Sequence, residues 1–454
     1  MSTDNKLNSK NQLQLLKEKR FGPFFLTQFF GAFNDNVFKN ALIILVAFQS
    51  SYSGSEASNN IINLAAILFI LPFFLFSATA GQIADRFEKA ALIRKIKLGE
   101  IGIMLFAAIG FYLNNIPFLL LVLFLMGSQS SFFGPIKYSI IPEHLKKEEL
   151  IGGNALVESG TFMAILLGTI FGGFLVGISS DSRILVSCTV IALASLGYIS
   201  SLNIPLSSAV DPMIKIRWNP FTETFRNIKL LRENRTVFFS ILGIAWFWFL
   251  GATYITQLPN FTHLALGADA QVVTLFLALF CIGIGLGSLL CEKLSNHTIE
   301  LGLVPIGSMG LSLFGVDVFF AATLHTSSEL LSLQEFIQIK SNWRLCIDML
   351  FIGAFGGIYI VPLYALIQAR TNPQRRARVI AGNNILNAVA IAAASIYAMV
   401  LLNADLNIPQ LFLIAAILNA VFALYLFVQV PEFITRFVAW VLTHLAYRVK
   451  KNTP

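Results

Sequence analysis

Twelve apolar runs of about 20 residues constrain this chain more than any other feature. They fall at about 24–50, 59–80, 92–113, 116–137, 153–178 and 183–204, and then at about 236–258, 270–291, 301–324, 345–368, 377–402 and 409–430. A hydrocarbon core about 30 Å thick is crossed by about 20 residues of helix. Inside it the backbone must satisfy its own hydrogen bonds, which makes helices the expected form. Only 12% of residues are charged, against roughly 25% in a water-soluble domain. The sequence predicts an all-α membrane protein of 12 spans, arranged as two six-helix bundles at 24–204 and 236–430. Residues 205–235, with Lys215, Arg217, Arg226, Lys229, Arg232 and Arg235, read as a loop joining them.

The formal net charge of +8 would suggest a nucleic-acid partner in a soluble protein. Here its placement gives topology instead, because Lys and Arg concentrate in cytoplasmic loops. With the N-terminus inside, inner segments hold 27 Lys and Arg, while outer ones hold only Arg183, Lys340 and Arg344. Both termini are therefore expected in the cytoplasm, and no nucleic-acid partner is expected. Residues 1–23 form a polar cytoplasmic segment too long to be a cleaved signal, so the first span is retained. Residues 431–454 read as an interfacial amphipathic helix with a basic tail. None of the four cysteines forms a CxxC pair, which argues against a disulfide framework.

The halves resemble each other. Gly81-Gln-Ile-Ala-Asp85-Arg86 closes span two and Gly287-Ser-Leu-Leu-Cys-Glu292-Lys293 closes span eight. Gly134-Pro135-Ile-Lys-Tyr138 in span four matches Val361-Pro362-Leu-Tyr364 in span ten, and Gly153-Asn154 matches Gly382-Asn383. Ordered matches of this kind point to parallel repeats, the architecture of the major facilitator halves. The turn Gly81-x-x-x-Asp85-Arg86-x-x-Lys89 resembles that superfamily's loop signature. Gly81 permits close helix approach, and Asp85 can pair with a basic residue or a helix N-terminus of the other bundle. Arg86 and Lys89 hold the turn on the inner face. We read the four as a gate, the alternative being a plain solvated turn.

Charges within spans are expensive unless they face protein or water. In span one, Asp35 and Lys39 stand at i and i+4, where they can pair, with Asn34, Asn36 and Asn40 beside them. The pair reads as a polar substrate or proton site, or else as a structural ion pair. Lys137, Asn154 and Glu158 are further substrate candidates in spans four and five, as are Asn383 and Asn384 in span eleven. Asp317 and Asp348 are lone acids in spans nine and ten. The glycines of spans five, eight and ten read as packing surfaces. There is no Gly-x4-Gly-Lys phosphate loop, and none of the five histidines has an Asp five positions on. No metal cluster or nucleophile triad is visible, so no cofactor, metal or catalytic residue is expected and the chain does not read as an enzyme.

Four stretches carry a closer resemblance. Phe29-Phe30-Gly31-Ala32-Phe33-Asn34-Asp35-Asn36-Val37-Phe38-Lys39-Asn40-Ala41 resembles the first span of bacterial lysophospholipid transporters. Ala84-Asp85-Arg86-Phe87-Glu88-Lys89, Ser131-Phe132-Phe133-Gly134-Pro135-Ile136-Lys137-Tyr138 and Gly152-Gly153-Asn154-Ala155-Leu156-Val157-Glu158 are similar to the same family. The resemblance implies a monomeric multi-pass protein of the bacterial inner membrane. It implies flipping of lysophosphatidylethanolamine and related lysolipids from outer to inner leaflet for re-acylation, with an acyltransferase as partner or fusion. The segment from Pro431 is similar to the junction before such an acyltransferase, but the enzymatic half is absent from the 454 residues. On this reading Lys39 or Lys137 meets the phosphate, and Asp35 or Glu158 the ammonium. A proton- or sodium-coupled exporter of small molecules, and a membrane anchor for a lipid-modifying enzyme, are the competing readings.

Overall fold

Polar residues between the apolar runs set where the helices begin and end. The computed structural model describes residues 12–48, 56–178, 182–322 and 330–452, with side chains except at 47–48, 56–60 and 444–452. The first eleven residues of the N-terminal segment, and the side chains of the basic tail, lie outside the described residues. The first half holds α1 (Gly22–Phe48), α2 (Glu56–Arg86), α3 (Lys89–Leu113), α4 (Ile116–Ser139), the single turn α5 (Ile141–His144), α6 (Leu150–Gly177) and α7 (Ser182–Leu202). The segment read as a loop contains a 12-residue helix, α8 (Pro220–Leu231). Asn219 caps it by accepting from Thr222 N, and Pro220 opens it. The second half holds α9 (Arg235–Asn260), α10 (Ala270–Leu294), α11 (Leu303–Ala321), the short α12 (Leu333–Gln338), α13 (Asn342–Arg370), α14 (Arg376–Asn403) and α15 (Ile408–Gln429), followed by α16 (Glu432–Asn452).

Eleven described helices, α2, α3, α4, α6, α7, α9, α10, α11, α13, α14 and α15, are long and apolar enough to cross a membrane. The 27-residue α1 lies outside that set, its middle interrupted by Asn34, Asp35, Asn36, Lys39 and Asn40. It nevertheless packs within the bundle, against α6 and α7.

Helix pairing repeats between the halves. α1 packs on α6, α2 on α4 and α3 on α7; correspondingly, α9 packs on α14, α10 on α13 and α11 on α15. Glycines allow the closest crossing: a β-carbon on Gly283 would strike the Leu350 carbonyl, and one on Gly287 the Ala354 carbonyl. The halves meet through α2 with α14 and α6 with α10.

Ion pairs collect at one end, here termed the basic end. Arg20 pairs with Glu149, Lys89 with Glu143, Arg375 with Glu233 and Arg370 with Glu432. Both terminal segments seat there. Gln12 Nε2 donates to the Leu289 carbonyl at 2.9 Å, and in α16 Trp440 Nε1 donates to the Leu294 carbonyl at 3.0 Å. Arg370 holds the Glu432 carboxyl below its ordinary range, and Glu149 raises Arg20 further above its own.

Candidate functional site

Three layers lie between the halves, and the first is a seal at the basic end. Asp85, at the end of α2, accepts from Arg378 Nε at 2.8 Å and from Ala377 N at 3.1 Å. It thus takes both a guanidinium and an N-terminal amide of α14, where helix dipole and free N–H groups favour an anion. The backbones come close because residue 81 is glycine. A β-carbon there would lie 2.7 Å from Ala381 Cβ and 2.9 Å from Arg378 Cα. Lys89 goes to Glu143 rather than across the seal, and Arg86 rests over the ring of Phe87 at 5.4 Å. Asp211 straps the linker onto this contact, donating from its backbone to the Asp85 carbonyl and accepting from Arg378.

The second layer is a floor. Asn154 and Gln368 form a reciprocal amide pair, at 2.7 and 2.9 Å, and Gln368 also donates to the Tyr138 carbonyl. Above them Tyr138 and Tyr364 stack face to face, centroids 4.2 Å apart and planes within 4°. These are the matched tyrosines of spans four and ten, brought together by the repeat. Tyr138 OH donates to Glu158 Oε1 at 2.6 Å, leaving Glu158 fully buried behind it. Among the described residues, hydrogen bonds crossing directly between the halves lie at this level or nearer the basic end.

The third layer is a cavity of about 300 Å³ extending from the tyrosine pair to Lys39 and Phe69. Asp35, Lys39, Lys97 and Lys137 supply its charges, while Phe69, Ile70, Phe73 and Ile391 line an apolar side between α2 and α14. Asp35 and Lys39 do not form the ion pair that their spacing suggests. Asp35 Oδ2 accepts from Ser130 Oγ at 3.0 Å and its Oδ1 has no partner among the described residues, while Lys39 Nζ lies 4.3 Å from the centroid of Phe69. Neighbouring side chains on α2 and α4 compete for the two ends of the pair. Lys137 Nζ donates to Thr161 Oγ1 at 2.8 Å.

Of the sequence candidates, Asp35, Lys39, Lys137 and Asn384 line the cavity. Asn34 lies behind it and donates to Glu100. Asn154 and Glu158 belong to the floor, and Asn383 is buried, neither amide atom having a hydrogen-bond partner of good geometry among the described residues. Asp317 pairs with Arg344 on α13 and lies away from the cavity, while Asp348 is buried on α13. The buried ion pair of this region is instead Lys97–Glu100, 2.6 Å apart and each 1% exposed. Glu100 also accepts from Asn34 and from Gln129 at 2.9 Å. Lys97 lies within the run at 92–113 yet is not among the sequence candidates; α3 begins at Lys89 and places it two turns inside the helix. The signal was present as an opposite-charge pair at i and i+3 at the head of an apolar run. Lys97 Nζ fills the space that a β-carbon on Gly31 would need.

Comparison with known proteins agrees with this architecture. A sequence model of the Major Facilitator Superfamily matches residues 24–334. The lysophospholipid transporter LplT of Klebsiella pneumoniae is 30% identical over 348 residues, covering 76% of this chain and 78% of that one. The chain belongs to the lysophospholipid transporter family of the major facilitator superfamily. The LplT of Photorhabdus laumondii is 28% identical over 367 residues, 80% of this transporter and 83% of that protein. Among solved structures, the human organic anion transporter MFSD10 (TETRAN) superposes with a TM-score of 0.70 at 12% identity, covering 93% of this chain and 99% of that one. FucP in its outward conformation gives 0.66 at 12% identity, with 91% and 99% covered. These two likenesses concern the fold.

Proposed function

We propose that this protein carries lysophospholipids across the bacterial inner membrane, from the outer leaflet to the inner, by alternating access between its halves. The observation that carries the reading is a cavity with charges of both signs beside an apolar flank. A lysolipid has a phosphate, often an ammonium, and one acyl chain. Lys137 and Lys39 suit the phosphate and Asp35 the ammonium, through charge-assisted hydrogen bonds. The tail fits the side formed by Phe69, Ile70, Phe73 and Ile391. Asn384 adds a neutral donor, whereas Asn34, Asn154, Glu158 and Asn383 support the walls and floor.

On this reading α1 is a twelfth span and both termini are cytoplasmic, as the placement of Lys and Arg favours. Gly81, Asp85, Arg86 and Lys89 then form the inner gate and its support. With the basic end sealed, the protein faces outward, ready to take lipid from the outer leaflet. Lysophosphatidylethanolamine is the favoured substrate, for re-acylation by a separate or fused acyltransferase. The protein itself acts as a monomeric transporter and not as an enzyme.

The test is flipping of labelled lysophosphatidylethanolamine in proteoliposomes. Asp35→Asn and Lys137→Gln are each expected to slow it about 30-fold or more, as loss of one partner of a desolvated charge pair does. Wild-type rates in both variants would overturn the headgroup assignment. Transport of unrelated small molecules that requires an ion gradient, without lysolipid flipping, would favour the coupled exporter.

A further inference from the structure

Helix α8 is built the wrong way round for a surface bathed in water. Such a helix turns its apolar residues inward. α8 instead buries Glu223, Thr224 and Asn227, together with Leu231, against α2 and α14. It exposes Phe221 and Phe225, the latter 74% accessible, with Trp218 just before it at 71%. The buried polar face is largely satisfied: Gln82 donates to Glu223 at 2.9 Å, and Arg226 pairs with the same carboxylate. The outward aromatic residues therefore have an apolar environment to meet, since contiguous exposed apolar patches mark binding surfaces.

The linker and α8 that carry those aromatics also line a cavity of about 900 Å³, closed by the N-terminus of α14. Lys215, Arg217, Arg226, Lys229, Arg232, Arg375 and Arg378 line it, against only two acids, Glu223 and Glu233. Both acids are already paired, with Arg226 and Arg375. Lys215, Arg217 and Lys229 are exposed and form no ion pair among the described residues. Asn227 lines the cavity although only 6% exposed, and its buried Oδ1 has no hydrogen-bond partner among the described residues. A surplus of positive charge on the same linker and helix that expose Trp218, Phe221 and Phe225 is the complement of a lipid surface carrying negative headgroups.

We propose that this cavity seats an anionic phospholipid, its phosphate among the linker and α8 cations and Arg375, and its chains beside Phe221 and Phe225. This lipid is distinct from the transported one: Asp85 and Arg378 seal the path between this pocket and the charged cavity. It bridges the halves, because Gln82 of α2 lines the pocket together with Arg375, which directly precedes α14, and Arg378 within it.

Native mass spectrometry of the full chain, taken from nanodiscs of mixed phosphatidylglycerol and phosphatidylcholine, tests this. Wild type is expected to retain phosphatidylglycerol over phosphatidylcholine, and Lys215→Gln and Lys229→Gln each to lower that preference about fivefold. Flipping in pure phosphatidylcholine is expected to be unchanged by both. Phe221→Ser with Phe225→Ser is expected to lower total lipid retention, and phosphatidylglycerol to raise the unfolding temperature of wild type more than that of the lysine variants. Equal retention of the two lipids, or lysine or phenylalanine variants that behave as wild type, would overturn the proposal. Displacement of the lipid by millimolar inorganic pyrophosphate would also overturn it, assigning the pocket to a soluble polyanion.

Discussion

In the N-terminal half, Asp35, Lys39, Lys97 and Lys137 reach the central cavity; the C-terminal half meets them with Trp248, Tyr364, Asn384, Asn387, Ala388 and Ile391. Helix pairing is the same in both halves, so this difference is one of side chains rather than scaffold. Charge in a membrane interior needs a fixed environment of partners. Concentrating it in α1, α3 and α4 lets one rigid body hold all of that environment, through Glu100, Gln129, Ser130 and Thr161. On the alternating-access reading proposed above, the neutral half can rock over the charged one without any ion pair within the cavity being broken. At the seal the arrangement is reversed. There Asp85 comes from one half and Arg378 from the other, and that pair must break whenever the basic end opens.

The comparison breaks most readily at Lys97. Removing one partner of a buried pair leaves a charge uncompensated, so Lys97→Met is expected to destabilise the N-terminal half by about 3–5 kcal/mol. The double variant with Glu100→Met should recover most of that loss, since replacing both members by apolar groups is often near neutral. Unfolding midpoints in detergent would show it, and equal destabilisation by single and double variants would contradict the network. An intermediate effect is expected at the seal. Asp85→Asn removes a charged hydrogen bond of about 1.5–3 kcal/mol, which should raise the population open at the basic end about tenfold or more. Distances between spin labels on the adjoining ends of α2 and α14 would report this, and an unchanged distribution would count against the gate. The smallest effect belongs to the neutral wall. Asn384→Ala is expected to slow lysolipid flipping only about two- to tenfold, as loss of an uncharged hydrogen bond does. A loss matching that of Asp35→Asn would mean that the C-terminal half shares the headgroup chemistry.

Much of this was legible in the sequence because the membrane restricts the choices. Apolar length located the helices, and the matched Tyr138 and Tyr364 were already visible as a repeat before the structure stacked them. Asp85 was readable from its spacing after Gly81, although spacing could not name Arg378 as its partner. Hidden from the sequence was everything decided between helices. The i and i+4 relation of Asp35 and Lys39 described a pair on one helix, whereas Ser130 and Phe69 on other helices decide where those groups go. Lys97 was passed over because a lysine near the start of a span looks like a loop residue when its acceptor, Glu100, is not considered. α8 was missed because a run of 12 residues carrying several charges reads as too polar to span; its amphipathic pattern is present, but Phe221 and Phe225 face outward.

The contact between Lys97 and Gly31 sets how firmly the charged wall is held. Two positions 66 residues apart in the chain share one volume, because the ammonium occupies the place of a missing methyl group. That ammonium is the tip of a flexible side chain, so a methyl group at position 31 would displace it without disturbing the backbone. The absent methyl group thus acts as a socket that keeps the ammonium against Glu100.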